Sequence, residues 1–150
     1  MNLISIIETI VLAIETAESP VRTFRFYAGD KAAQNLEADD EVFPAVYLDT
    51  PLRCNMSLKQ SGYIEKSYPI NIFFFDKSDS EDDTEARHNE IIEEMALAAE
   101  QFIQRLSKSA DIRYIENLEG EGIKQVFDSN LSGYRLAILI TPFDQKSICV

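Results

Sequence analysis

The chain has no tryptophan, one histidine, two cysteines and five glycines in 150 residues, and each shortage removes a class of chemistry. Without tryptophan a glycosidase lacks its best aromatic platform for sugar, and paired carboxylates carry little information among 26 acidic residues. A catalytic triad or a multi-histidine metal site would have to be built around His88. That residue sits beside Arg87 and Asn89 in the first turns of a helix-forming stretch, where a solvated side chain is expected. Cys54 and Cys149 lie far apart, with no CxxC and no nearby histidine, so two reduced thiols are expected rather than a zinc or redox motif. No local signature pairs either cysteine with His88 as nucleophile and base. Gly120-Glu121-Gly122 reads as a turn between strands with no helix opening after it, which is not the context of a phosphate-binding loop. The expectation is a protein that is not an enzyme and holds no metal and no cofactor.

Long apolar runs are also missing. Met1 to Ala17 is the nearest candidate, but Glu8 and Glu15 interrupt it and it has no basic leading segment, so neither export nor a membrane span is expected. Basic residues are scarce too. Against 26 Asp and Glu stand 14 Lys and Arg, a formal charge of −12 that repels phosphate and favours basic partners. The same scarcity suits a passage that DNA moves through without sticking, because few cations are available to displace its counterions.

What remains is the composition of one folded domain spanning 1–150: 45% hydrophobic and 27% charged residues, enough to enclose a real core. Leu3, Ile7, Ile10, Val11 and Ile14 recur at helical spacing within Asn2 to Glu18, with Asn2 or Ser5 as cap and Pro20 as terminator. Arg22 to Ala28 alternates as a strand. Lys31 to Glu41 fits a short helix or a loop. Phe43 to Asp49 is a strand bracketed by Pro44 and Pro51, which suggests an edge position because neither proline can donate to a ladder. A polar crossing, Asn55 to Gly62, leads into the extended run Tyr63 to Phe75. There Ile70, Ile72 and Phe74 point one way, and Asn71, Phe73 and Phe75 the other.

The strongest helix signal covers about residues 82 to 108, with the stripe Ile91, Met95, Phe102 and Leu106 widened by Ile92, Ala99 and Ile103; Glu90, Glu93, Glu94, Gln101 and Gln104 are expected to face out. Three strands follow: Ile112 to Leu118, Ile123 to Phe127 and Tyr134 to Thr141, with turns at Gly120 to Gly122 and around Asn130 and Gly133. This order, without regular βαβ alternation, predicts an α+β fold: a mostly antiparallel sheet with an N-terminal helix and one long helix packed on one face.

The acidic run Asp76 to Glu85 places Asp79, Glu81, Asp83 and Glu90 at calcium-loop positions, but Thr84 stands where the sharp turn needs glycine. Helix capping by Asp79 or Ser80, with Asp82, Asp83 and Glu85 at the positive helix end, accounts for the same residues. Apolar groups on both faces of one strand need two covers, so Phe73 and Phe75 are candidate subunit contacts. Phe43, Val46 and Leu48 join them, because an exposed edge strand is a liability that a neighbour can cover.

Three segments stand out together: Phe43 to Pro51 (FPAVYLDTP), Tyr68 to Asp76 (YPINIFFFD) and Phe127 to Leu136 (FDSNLSGYRL). With the flanking helices they resemble the tail-terminator and neck-completion (head-tail joining) proteins of long-tailed bacteriophages, in element order over nearly the whole chain. The resemblance implies an N-terminal helix, a curved antiparallel sheet and a long helix laid across it. It also implies a virion structural protein, assembled in the host cytoplasm, that forms a homo-oligomeric ring, typically a hexamer. Such a ring ends tube growth at the head-proximal end of the tail, contacts tail-tube protein and the head connector, and lets DNA cross its lumen without specific binding. No active-site residues exist to carry over. A second expectation from the charge alone is an acidic monomeric binding or inhibitor domain for a basic protein.

Overall fold

The computed structural model describes residues 2–17, 20–29, 43–78, 85–126 and 131–143. The element order is α1 (Leu3–Leu12), β1 (Arg25–Gly29), β2 (Ala45–Asp49), β3 (Asn55–Leu58), β4 (Ile64–Lys77), α2 (Glu85–Ser107), β5 (Ile112–Val126) and β6 (Leu131–Pro142). The strands form one open sheet in the order β1-β2-β4-β6-β5, with β3 paired to the start of β4. All pairings are antiparallel except β1 with β2. The fold is α+β, as the order of elements predicts.

Both helices cover the same face of the sheet. Leu3, Ile7 and Val11 of α1 and Ile91, Met95, Phe102 and Leu106 of α2 share one core with Ile70, Ile72 and Phe74 of β4 and Ile138 and Ile140 of β6. The alternation along β4 holds as predicted, and Phe75 belongs to a second cluster with Ala45, Tyr47 and Leu131, against which Phe73 packs. Asn2 is the cap of α1, its Oδ1 accepting from the Ser5 amide at 2.8 Å.

Four expectations need correction. α1 stops at Leu12, well short of Glu18, because the chain turns back on itself: Glu15 bridges Thr23, and the Thr16 amide donates to the Arg22 carbonyl at 2.9 Å. β2 is interior rather than an edge, hydrogen-bonded to β1 on one side and β4 on the other, since Pro44 and Pro51 fall just outside its ladder. Part of the polar crossing is itself a strand, β3. Gly120 to Gly122 is no turn but the middle of the single strand β5, with irregular register and Asn117 at φ 56°. Its glycines are there for space. A Cβ on Gly120 would lie 2.6 Å from the Tyr134 ring, and one on Gly122 would lie 2.7 Å from Ile92.

Candidate interaction surfaces

Polar chemistry gathers where α2 crosses the end of β4. Arg22 Nη2 donates to Asp76 Oδ2 at 2.6 Å and to Glu94 Oε1 at 3.2 Å, while Nη1 donates to Asp76 Oδ1 at 3.3 Å. The two carboxylates are 2% and 8% exposed. Glu94 therefore faces inward and not, as its charge suggested, to solvent, because Arg22 supplies the counter-charge that makes burial tolerable. Burial lowers the Arg22 pKa, but the Asp76 hydrogen bond and the charges of Asp76 and Glu94 outweigh it and leave the pKa raised. The Arg22 amide also donates to Thr16 Oγ1 at 2.8 Å, which seats the guanidinium from its own backbone.

His88 is a second correction. It is 2% exposed instead of solvated, and its Nδ1 is hydrogen-bonded to Ser132 Oγ. Ser132 pairs across the ladder with Asp76, so the histidine, the serine and the ion cluster form one polar end to the core. A serine beside an imidazole has the raw materials of a nucleophile and base, but both side chains are sealed from solvent and no substrate reaches them in this conformation. Of the calcium-loop positions, Asp79, Glu81 and Asp83 lie outside the described residues, as do the proposed caps Asp79 and Ser80. Glu90 is on the exposed face of α2 and accepts from Arg87 at 3.2 Å. Among the described residues no group of three His, Cys, Asp or Glu could hold a metal ion, and no helix is long and apolar enough to cross a membrane. Cys149 lies outside the described residues, and Cys54 is half-buried beside the core.

The predicted subunit contacts separate by strand parity. Val46 and Leu48 lie fully buried in the core under the helices, where a neighbour cannot reach them. Phe43, Phe73 and Phe75 are on the opposite, outer face with Tyr27 and Tyr47. There the rings form a file across three strands: Tyr27 stacks on Tyr47 at 5.1 Å, Tyr47 meets Phe75 at 5.7 Å, and Phe75 stacks on Phe73 at 5.9 Å. Phe75 is buried within this file, whereas Phe43 and Phe73 are half-buried. Beyond it the outer face turns polar: Arg135 Nε donates to Glu121 at 3.0 Å and Nη1 to Asn71 at 3.4 Å. Asn71 and Pro69 also line a shallow cleft of about 360 Å³ with Asp49, Pro51 and Arg53.

Two further surfaces carried no clear signal in the residues. One is the edge strand β5, exposed along most of its length; the other is the ribbon of β3 and the start of β4, where Met56, Leu58 and Ile64 are exposed. No protein-family model matches the chain, and no curated protein matches it in sequence.

Proposed function

We propose that this protein is a virion structural subunit, a tail terminator or neck-completion protein that forms a homo-oligomeric ring at the head-proximal end of a phage tail tube. The observation that carries the proposal is the open sheet. Among the described residues it ends on two unlike strands, the short β1 with its parallel partner and the long acidic β5. A sheet that ends on two unlike strands suits head-to-tail joining, and head-to-tail contacts close into rings when the rotation allows.

The three segments that resemble neck proteins supply β2, the sheet-spanning part of β4 and the start of β6, the strands that build the centre of this sheet. The half-buried Phe43 and Phe73 remain available as contacts on the outer face. In this role the protein performs no catalysis. It stops tube growth, joins tail to head, and its acidic surface lets DNA pass. Light scattering and negative-stain imaging test it: rings, alone or with tail-tube protein added, are expected. Persistent monomers that instead bind a basic protein in a strongly salt-dependent way would favour an acidic binding domain.

A further inference from the structure

The ribbon formed by β3 and the first residues of β4 is an arm. β4 pairs with β6 only from Tyr68 onward, so Ile64 to Ser67 and their partners Asn55 to Leu58 run past the end of the main sheet. Leu58 pairs with Ile64 and Met56 with Lys66. These positions are in phase with Tyr68, Ile70 and Ile72, so they continue the face that the helices cover in the body of the domain. On the arm that cover is gone: Met56 is 68%, Leu58 75% and Ile64 45% exposed. The opposite face carries Asn55, Ser57, Glu65 and Ser67, and there Lys59 bridges Glu65 at 3.7 Å. The arm is also cationic. Residues 53–67 hold Arg53, Lys59 and Lys66 against Glu65 alone, in a chain whose formal charge is −12.

A complementary surface lies on β5. From Tyr114 to Ile123 that strand has three glutamates and no lysine or arginine. Glu116 pairs with Leu139 and Glu119 with Ala137. Those partners alternate with the core residues Ile138 and Ile140, so both glutamates stand on the outer face of the sheet, near the exposed Tyr114. The apolar face of the arm and the glutamate row thus look to opposite sides of one sheet. They cannot meet within a chain, but they can meet between two.

We propose that the arm of one copy docks on the outer face of β5 and β6 of the next. Met56, Leu58 and Ile64 cover Tyr114 and Leu139, and Lys66, which pairs with Met56 on the same face of the arm, approaches Glu116 and Glu119. The docking rests on the ring reading above and names its contact. The apolar face supplies the burial that drives association, and the charges set register and partner choice. Because the two surfaces differ, the contact is head to tail and propagates around a closed ring.

The test uses the full chain in five forms: unaltered, Met56→Ser/Leu58→Ser/Ile64→Ser, Lys66→Glu, Glu116→Lys/Glu119→Lys, and the two charge reversals combined. Circular dichroism and thermal melting verify folding, and analytical ultracentrifugation reads association. The serine form and each single reversal are expected to weaken association at least tenfold while remaining folded, and the combined reversal to restore it, a recovery that loss of fold cannot produce. If the unaltered chain associates and the serine form does so equally well, or the combined reversal fails to recover, the docking is overturned and the ring stands. If the unaltered chain stays monomeric, alone and with tail-tube protein, the ring fails and the docking falls with it.

Discussion

Arg22 grips Asp76 through both terminal guanidinium nitrogens, at 2.6 and 3.3 Å, tying the segment before β1 to the end of β4 across 54 positions of sequence. The same group reaches Glu94 on α2, so one side chain joins three elements. Arg22→Ala is expected to cost about 3–5 kcal/mol in urea unfolding at pH 8, because it leaves two buried carboxylates facing each other without a counter-charge. In the unaltered protein the Arg22 pKa is raised. Its contribution is complete below the ordinary arginine value and is lost only as pH rises through the raised one, so Arg22 itself gives no loss of stability between pH 8 and 10. Melting curves across that range check the sign.

Ser132→Ala removes the hydroxyl that meets His88 in the core. About 1–3 kcal/mol of stability should be lost, the usual penalty for stripping a partner from a buried polar group. Association should be unchanged, since neither residue is on the surface. A shift in oligomeric state without a shift in melting temperature would contradict the structural role.

How much of this was legible depended on whether a residue's reason was local. The β4 alternation and the α2 stripe at Ile91, Met95, Phe102 and Leu106 are periodic and declare themselves, and they fixed the helix-on-sheet layering. Glu94 and His88 were expected outside because their partners, Arg22 and Ser132, lie 72 and 44 positions away. Nothing near either residue announces them. Gly120 and Gly122 imitate a turn but serve Tyr134 and Ile92, contacts that exist only once α2 and β6 are in place. The candidate contacts divided for the same reason: Val46 and Leu48 looked like edge residues until β1 was found pairing with the far side of β2.

Gly133→Ala should be among the costliest single-methyl changes. Gly133 opposes Phe75 in the β4–β6 ladder, and an added Cβ would collide with the backbone carbonyl of Phe74, which cannot move without breaking the ladder. A loss of about 3 kcal/mol is expected, the upper end of ordinary overpacking. Chemical denaturation measures it directly.

Asn117 holds a left-handed backbone conformation at the irregularity of β5. Asn117→Gly should be tolerated within about 0.5 kcal/mol, whereas Asn117→Val should cost about 1–2 kcal/mol, since a β-branched side chain crowds that conformation. Equal effects of the two substitutions in thermal melts would show that the backbone relaxes there.

β4 spans the sheet from the arm at one end to the Asp76 cluster at the other, with ten partners along β6 and four along β2. A pull on the arm is therefore delivered along the strand axis, at right angles to these hydrogen bonds, and loads them in shear, all at once. A pull on β5 at the rim would peel its bonds one after another. The domain is thus toughest along the line of β4 and weakest where β5 can be peeled from its rim.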